Sequence, residues 1–135
     1  MKALDTPVLL ALLEGNVAAR DLVRRLKGVE LVTTEANLLE LSWLAARGPT
    51  RLRGRRRAAI SRLRRKISVF PIDSRAVAES ERRLARGWGG SPPLVESMVG
   101  ALSANGCEEL YTSDPRPELG RVPFRVTRLD ITGSK

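Results

Sequence analysis

Short β-branched or apolar runs alternate with capped helical segments along this whole chain, and few folds accept that order. Lys2 to Asp5 reads as a strand entering a helix from Pro7 to Glu14, with proline in an allowed first-turn place. Asn16 caps a second helix over Val17 to Lys27, whose Val17, Leu22, Val23 and Leu26 keep helical spacing. Glu30 to Thr33 is a second strand. Thr34 then caps a helix from Glu35 to Arg47 that Gly48-Pro49 ends. After a basic helical segment come a strand over Ser68 to Ile72 and a helix over Arg75 to Arg86, capped by Asp73 or Ser74. A further helix runs to Asn105, followed by strands over Glu109 to Thr112 and Phe124 to Leu129. Strand–helix–strand units of this kind give an α/β domain with a mainly parallel, five-stranded sheet and helices on both faces. At 135 residues there is room for one such domain, residues 1–129, and a tail over 130–135 that should fray.

In such sheets the functional crevice lies at the carboxyl ends of the strands. Asp5 ends the first strand and Asp114 ends the fourth. Chemistry narrows further because the chain has no histidine. Imidazole acid–base pairs and Ser-His or Cys-His nucleophiles are excluded, and with one cysteine zinc has no plausible ligand set. Cys107 cannot form an internal disulfide and fits a reducing cytoplasm. No apolar run is long enough to span a membrane, and the first residues lack the cleavage site of a signal peptide. What stays open is carboxylate chemistry, with or without a hard cation such as Mg²⁺ or Mn²⁺.

Four acids are candidates, each with a plainer reading beside it. Asp5 at a helix start is equally a helix cap. Glu40 sits among Leu38, Leu39, Leu41, Trp43 and Leu44, so its carboxylate needs a cation, a metal or water in a cleft. An arginine from elsewhere would serve as well. Glu96 in the first turn of a helix is favoured by the dipole alone. Asp114 before Pro115 is a common turn residue. Together they offer hard anionic oxygens converging from separate elements, the donor set for a magnesium site that cuts phosphodiesters.

The residues also resemble a known family. Leu4-Asp5-Thr6-Pro7-Val8-Leu9-Leu10 is similar to the Asp-Thr-Asn-Val-Leu opening of PIN-domain nucleases. Thr33-Thr34 leading through Asn37 to Glu40-Leu41 resembles their second acid on its helix. Glu96 lies 18 positions before Asp114, the interval that in VapC-type toxins separates the third acid from that of the Thr-x-Asp motif, here Thr112-Ser113-Asp114. The likeness runs over residues 1–129. It implies a three-layer α/β/α domain and a Mg²⁺- or Mn²⁺-dependent endoribonuclease, a homodimer often partnered by an antitoxin. It further implies that Asp5, Glu40, Glu96 and Asp114 ligate metal directly or through water, while Thr6 and Ser113 orient ligands or phosphate. Pro7 departs from the usual Asn or Ser, and Glu96 from the commoner Asp.

The charge points the same way. Residues 47–66 hold ten Lys and Arg and no acid, whereas the rest of the chain holds 14 basic and 15 acidic residues. Within the helical segment 50–67, Leu52, Ile60, Leu63 and Ile67 form a thin apolar stripe. Arg51, Arg53, Arg55, Arg56, Arg57, Arg62, Arg64, Arg65 and Lys66 fill the remaining circumference. Cations without interspersed acids repel one another and forgo intrahelical pairs, so a polyanion is the natural partner. Little aromatic interleaving favours the RNA backbone over its bases; an acidic antitoxin tail is the rival. Gly87-Trp88-Gly89-Gly90 reads as a loop bordering the active site, where Trp88 would stack on a base or anchor the loop. The competing functions are a non-catalytic RNA- or DNA-binding module on the same fold, and a structural dimerisation subunit.

Overall fold

The computed structural model describes residues 1–115, 119 and 121–132. Five strands, β1 (Lys2–Leu4), β2 (Leu31–Thr34), β3 (Ser68–Phe70), β4 (Glu109–Thr112) and β5 (Arg125–Arg128), form one sheet. The helices are α1 (Thr6–Leu13), α2 (Val17–Arg25), α3 (Glu35–Ala46), α4 (Thr50–Lys66), α5 (Ser74–Ala85) and α6 (Pro93–Ala104). Strand order is β3-β2-β1-β4-β5 and every pairing is parallel, so the sheet is wholly rather than mainly parallel.

The period of two along each strand sorts side chains into two cores. Leu4 and Tyr111 face one way and pack with Val8, Leu9, Leu22, Leu41 and Ile60 of α1–α4. Ala3, Val32 and Leu110 face the other way, onto Met98, Val99 and Leu102 of α6. Helix α5 lies outside α6 and meets it most closely at Gly100, where an added Cβ would stand 2.4 Å from the Ala76 carbonyl. The result is the three-layer α/β/α arrangement. Among the described residues no helix is long and apolar enough to cross a membrane.

Caps set the helix starts as the sequence implies. The Thr34 hydroxyl accepts the Asn37 N–H at 3.3 Å, and Asp73, rather than Ser74, caps α5 through the Ala76 N–H at 3.1 Å. The tail does not fray where expected. Ile131 packs on the first core and its carbonyl accepts from Asn16 Nδ2 at 3.0 Å, whereas residues 133–135 lie outside the described set.

One polar cluster holds the central strands together. Glu109 on β4 is buried and accepts from Lys2 Nζ at 2.6 Å, from the Tyr111 hydroxyl at 3.2 Å and from the Thr127 hydroxyl. Burial pushes its carboxyl up, but the Lys2 ammonium and the Thr127 and Tyr111 hydroxyls outweigh that and hold it below the ordinary 4.5. A depressed carboxyl stabilises the fold above its unfolded value and loses that contribution as pH falls through the folded one. Glu109→Gln should therefore cost about 1 kcal/mol at pH 7, discounted for the partly exposed Lys2. The gap from wild type should close as urea melts are repeated below pH 4.5. A gap independent of pH would show that the charge is not what stabilises.

Candidate active site

The sheet changes direction between β1 and β4, since β2 and β3 extend one way and β5 the other. A crevice opens at the carboxyl ends of strands on either side of such a switch point. Here it is a cavity of about 150 Å³ lined by Asp5, Thr6, Pro7, Asn37, Glu40, Leu94, Val95, Met98, Thr112, Asp114 and Leu119. Three of the four candidate acids therefore share one cavity, each from a different element.

Asp5 follows β1 and extends the ladder by donating its N–H to the Tyr111 carbonyl at 3.3 Å. Its Oδ1 accepts the Val8 N–H at 3.2 Å, so one carboxylate both caps α1 and faces the cavity. Pro7 lies in the first turn of α1, where its missing N–H costs no helical bond. Asp114 is exposed at the end of a turn after β4, and its N–H donates to the Thr112 hydroxyl at 3.2 Å. Glu40 is half-buried, one turn along α3 from Asn37. Its surroundings are less apolar than the sequence suggests, because Leu39 and Trp43 stand in solvent at 68% and 55% exposure. No described arginine pairs with Glu40.

Glu96 is placed differently. It is buried at 5% exposure and its Oε2 accepts from Arg83 Nε at 3.3 Å, while Oε1 has no partner among the described residues. Helix geometry gives the reason. Leu94, Val95 and Met98 turn toward the cavity, whereas Glu96, Gly100 and Ser103, at i, i+4 and i+7, form a stripe facing α5. Of the four candidate acids, Asp5, Glu40 and Asp114 line the cavity and Glu96 does not.

Two hydroxyls also differ from expectation. Thr6 lines the cavity but is fully buried in a network: Asn37 Nδ2 donates to it at 3.1 Å, and Thr34 donates to Asn37 Oδ1 at 2.7 Å. It pins the start of α1 to α3. Ser113 does not line the cavity; Thr112, one residue earlier, does, as strand alternation requires. Asn37 is a site residue that the sequence reading passed over. Its spacing of three from both Thr34 and Glu40, inside an apolar turn, was the available signal.

The cavity's donors are oxygen atoms of carboxylate, hydroxyl and amide groups, and no described Lys or Arg lines it. A phosphodiester meeting such carboxylates at 4 Å is repelled by about 4 kcal/mol per charge at an effective dielectric of 20. A hard divalent cation removes that repulsion, so the residues fit one. Among the described residues no three Asp, Glu, His or Cys side chains stand close enough to share an ion.

The basic helix is α4. Of its nine candidate cations eight are exposed, while Arg56 is half-buried and reaches Glu14 at 3.8 Å. Arg53, Arg57 and Arg64 line a groove against Ser42, Ala45 and Ala46 of α3. None of the nine lines the acidic cavity. Trp88 borders a second cavity instead of the acidic one.

A family model described as PIN domain matches residues 2–123. Among solved structures, VapBC2 from Rickettsia felis, bound to a DNA fragment from their promoter, aligns at TM-score 0.78 and 10% identity over 96% of this chain and 98% of that one. VapBC-5 from Mycobacterium tuberculosis, of the VapBC family of toxin-antitoxin systems, aligns at 0.67 and 18% over 95% and 98%. The sarcin-ricin loop cleaving toxin VapC20 from the same organism aligns at 0.66 and 17% over 90% and 96%. Among curated proteins none matches the sequence.

Proposed function

The chain belongs to the PIN domain family, and on that premise we propose that it is a divalent-metal-dependent endoribonuclease, the toxin of a VapBC-type toxin–antitoxin pair. The observation that carries this reading is one cavity at the switch point lined by Asp5, Glu40 and Asp114. Asp5, Glu40 and Asp114 would hold Mg²⁺ or Mn²⁺, directly or through water. When bound, the ion supplies Lewis-acid chemistry, lowering the pKa of water and offsetting charge at phosphorus. Glu96, paired with Arg83, does not enter as a ligand.

The chain's own residues do the positioning. The Val8 N–H fixes the Asp5 carboxylate, and the Thr112 hydroxyl holds the turn that presents Asp114. The Thr34–Asn37–Thr6 network locks the wall from which Glu40 projects. Leu94, Val95, Met98 and Leu119 make the opposite wall apolar and limit water there. In-line attack by water on the phosphodiester would leave 5′-phosphate and 3′-hydroxyl ends. The exposed cations of α4 would hold the RNA backbone. Fold relatives that are toxin–antitoxin proteins support an antitoxin partner, and VapC20's cleavage of the sarcin-ricin loop supports the activity. Exposed Leu39 and Trp43 support a protein contact, in a homodimer or with the antitoxin, on the α3 face. The setting proposed is the cytoplasm.

The test is RNA cleavage with Mg²⁺ or Mn²⁺ by wild type, Asp5→Asn and Asp114→Asn. Loss of an outer-shell partner of a metal costs about 10–100-fold, so each variant should fall by at least about 100-fold, and EDTA should abolish cleavage. Cleavage that persists in both variants or in EDTA defeats the proposal. Intact RNA bound tightly and in a salt-sensitive way by wild type would instead favour a non-catalytic binding module.

A further inference from the structure

The loop after α5 builds a second cavity. Gly87 sits at φ +72° and donates to the Leu84 carbonyl, while the Trp88 N–H donates to the Arg83 carbonyl at 2.9 Å. These are the two bonds of a Schellman motif, and they fold Trp88 back against the last turn of α5. The buried Arg83 then ties the walls together: Nη1 donates to the Arg121 carbonyl at 2.6 Å, Nη2 to the Trp88 carbonyl at 3.3 Å and Nε to Glu96. They border an open depression of about 530 Å³ lined chiefly by Arg83, Arg86, Trp88, Arg121, Glu79 and Ser103, a volume in the range of small-ligand sites.

The charges of these groups differ in how far they are spoken for. Arg83 is neutralised by Glu96, and Glu79 by Arg82 at 2.5 Å with a further bond from Ser103. Arg86 and Arg121 are exposed and make no ion pair within 4 Å with a described acid, although Arg86 lies near enough to Glu79 to help hold its carboxyl below the ordinary range. Arg86 lies over the Trp88 ring, 5.1 Å from its centroid. Two forked guanidinium groups suit a phosphate, and an indole face suits a base. An acidic peptide would use the arginines but not the ring.

We infer that this cavity is a nucleotide subsite, which takes one phosphate on Arg86 and Arg121 and the attached base on Trp88, from the RNA strand whose scissile phosphate lies at Asp5, Glu40 and Asp114. The inference rests on the ribonuclease reading above. The acidic cavity takes Leu94 and Val95 from the first turn of α6, while this one takes Ser103 from its last turn and meets the start of α6 only through Arg83, the partner of Glu96. A helix with its side chains is about 10–12 Å wide, a distance that a few nucleotides of single strand cross.

Binding of a labelled single-stranded RNA oligonucleotide, measured by anisotropy in EDTA, separates this inference from cleavage. Arg86→Glu with Arg121→Glu should weaken binding at least about tenfold and lower the salt slope by about 0.7, the share of one phosphate on a single strand. Arg86→Lys with Arg121→Lys, which keeps charge and fold but loses the fork, should weaken it less. In a Trp43→Phe background Trp88 is the sole reporter, and the oligonucleotide should quench its fluorescence. Wild-type affinity and slope in the charge-reversed protein, or equal quenching by poly-glutamate, overturns the subsite. If wild type leaves RNA intact with Mg²⁺, the cleavage reading falls while this binding result still stands or falls by itself.

Discussion

Glu96→Ala should lower stability by about 3–5 kcal/mol, since it strands the Arg83 guanidinium, 2% exposed, without a counter-charge. Natural domains are stable by only about 5–15 kcal/mol, so a large share would be lost and urea midpoints should fall accordingly. Replacing both partners with apolar residues, Arg83→Met with Glu96→Leu, should recover much of this, because an ion pair removed whole leaves no buried charge. Recovery should be incomplete, as the Arg121 and Trp88 carbonyls lose their donor. The same double variant addresses Glu96's chemical role. If Glu96 serves only as Arg83's counter-ion, binding of Mg²⁺ or Mn²⁺ by the folded double variant should match wild type; weakened metal binding in a protein that folds would return Glu96 to the metal. A Glu96→Ala variant within about 1 kcal/mol of wild type would mean that the pair is not a structural tie.

Gly100→Ala should destabilise by about 2–3 kcal/mol even though alanine is the better helix former. Intrinsic propensity favours the change by about 1 kcal/mol. Against it, the new Cβ would stand 2.2 Å from Ser80 Oγ and 2.4 Å from the Ala76 carbonyl oxygen. The Ser80 side chain can turn away, at the cost of its 2.8 Å bond to the Glu96 carbonyl. The Ala76 oxygen is backbone, so α5 itself must retreat, and overpacking of that kind costs about 1–3 kcal/mol or more. Ser80→Ala should therefore not rescue the variant. A neutral or stabilising Gly100→Ala in urea melts would show that the two helices yield easily. Since α5 carries Arg83, retreat should also loosen the Trp88 cavity.

Much of this architecture was legible in the sequence because its signals are local. Caps such as Asn16, Thr34 and Asp73, and stops such as Gly48-Pro49, need only their neighbours in the chain. Asp5, Asp114 and Glu40 were legible as cavity candidates for related reasons, two from strand ends and one from an acid that its helix could not explain. What escaped was long-range pairing. Arg82 and Arg83 are adjacent and chemically identical, yet one is exposed with Glu79 and the other is the buried partner of Glu96. Only the packing of α5 on α6 distinguishes them. A stripe of Glu96, Gly100 and Ser103 could have signalled that contact, but a first-turn acid at a family interval drew the reading elsewhere. Trp88 was legible as a loop anchor, not as the wall of a separate cavity, because the second wall comes from residues 121–123.

The strand order has a bearing on biosynthesis. β1 leaves the ribosome first, yet one of its flanking strands is β4, and the Lys2–Glu109 pair joins positions 107 residues apart. At about 5–20 residues per second, β1 waits several seconds for that neighbour. Asp114 arrives later still, so the acidic cavity cannot form on a nascent chain before the turn after β4 has been made. On the ribonuclease reading proposed above, a nascent chain that has made only Asp5 and Glu40 would be inert toward the RNA of the ribosome that makes it.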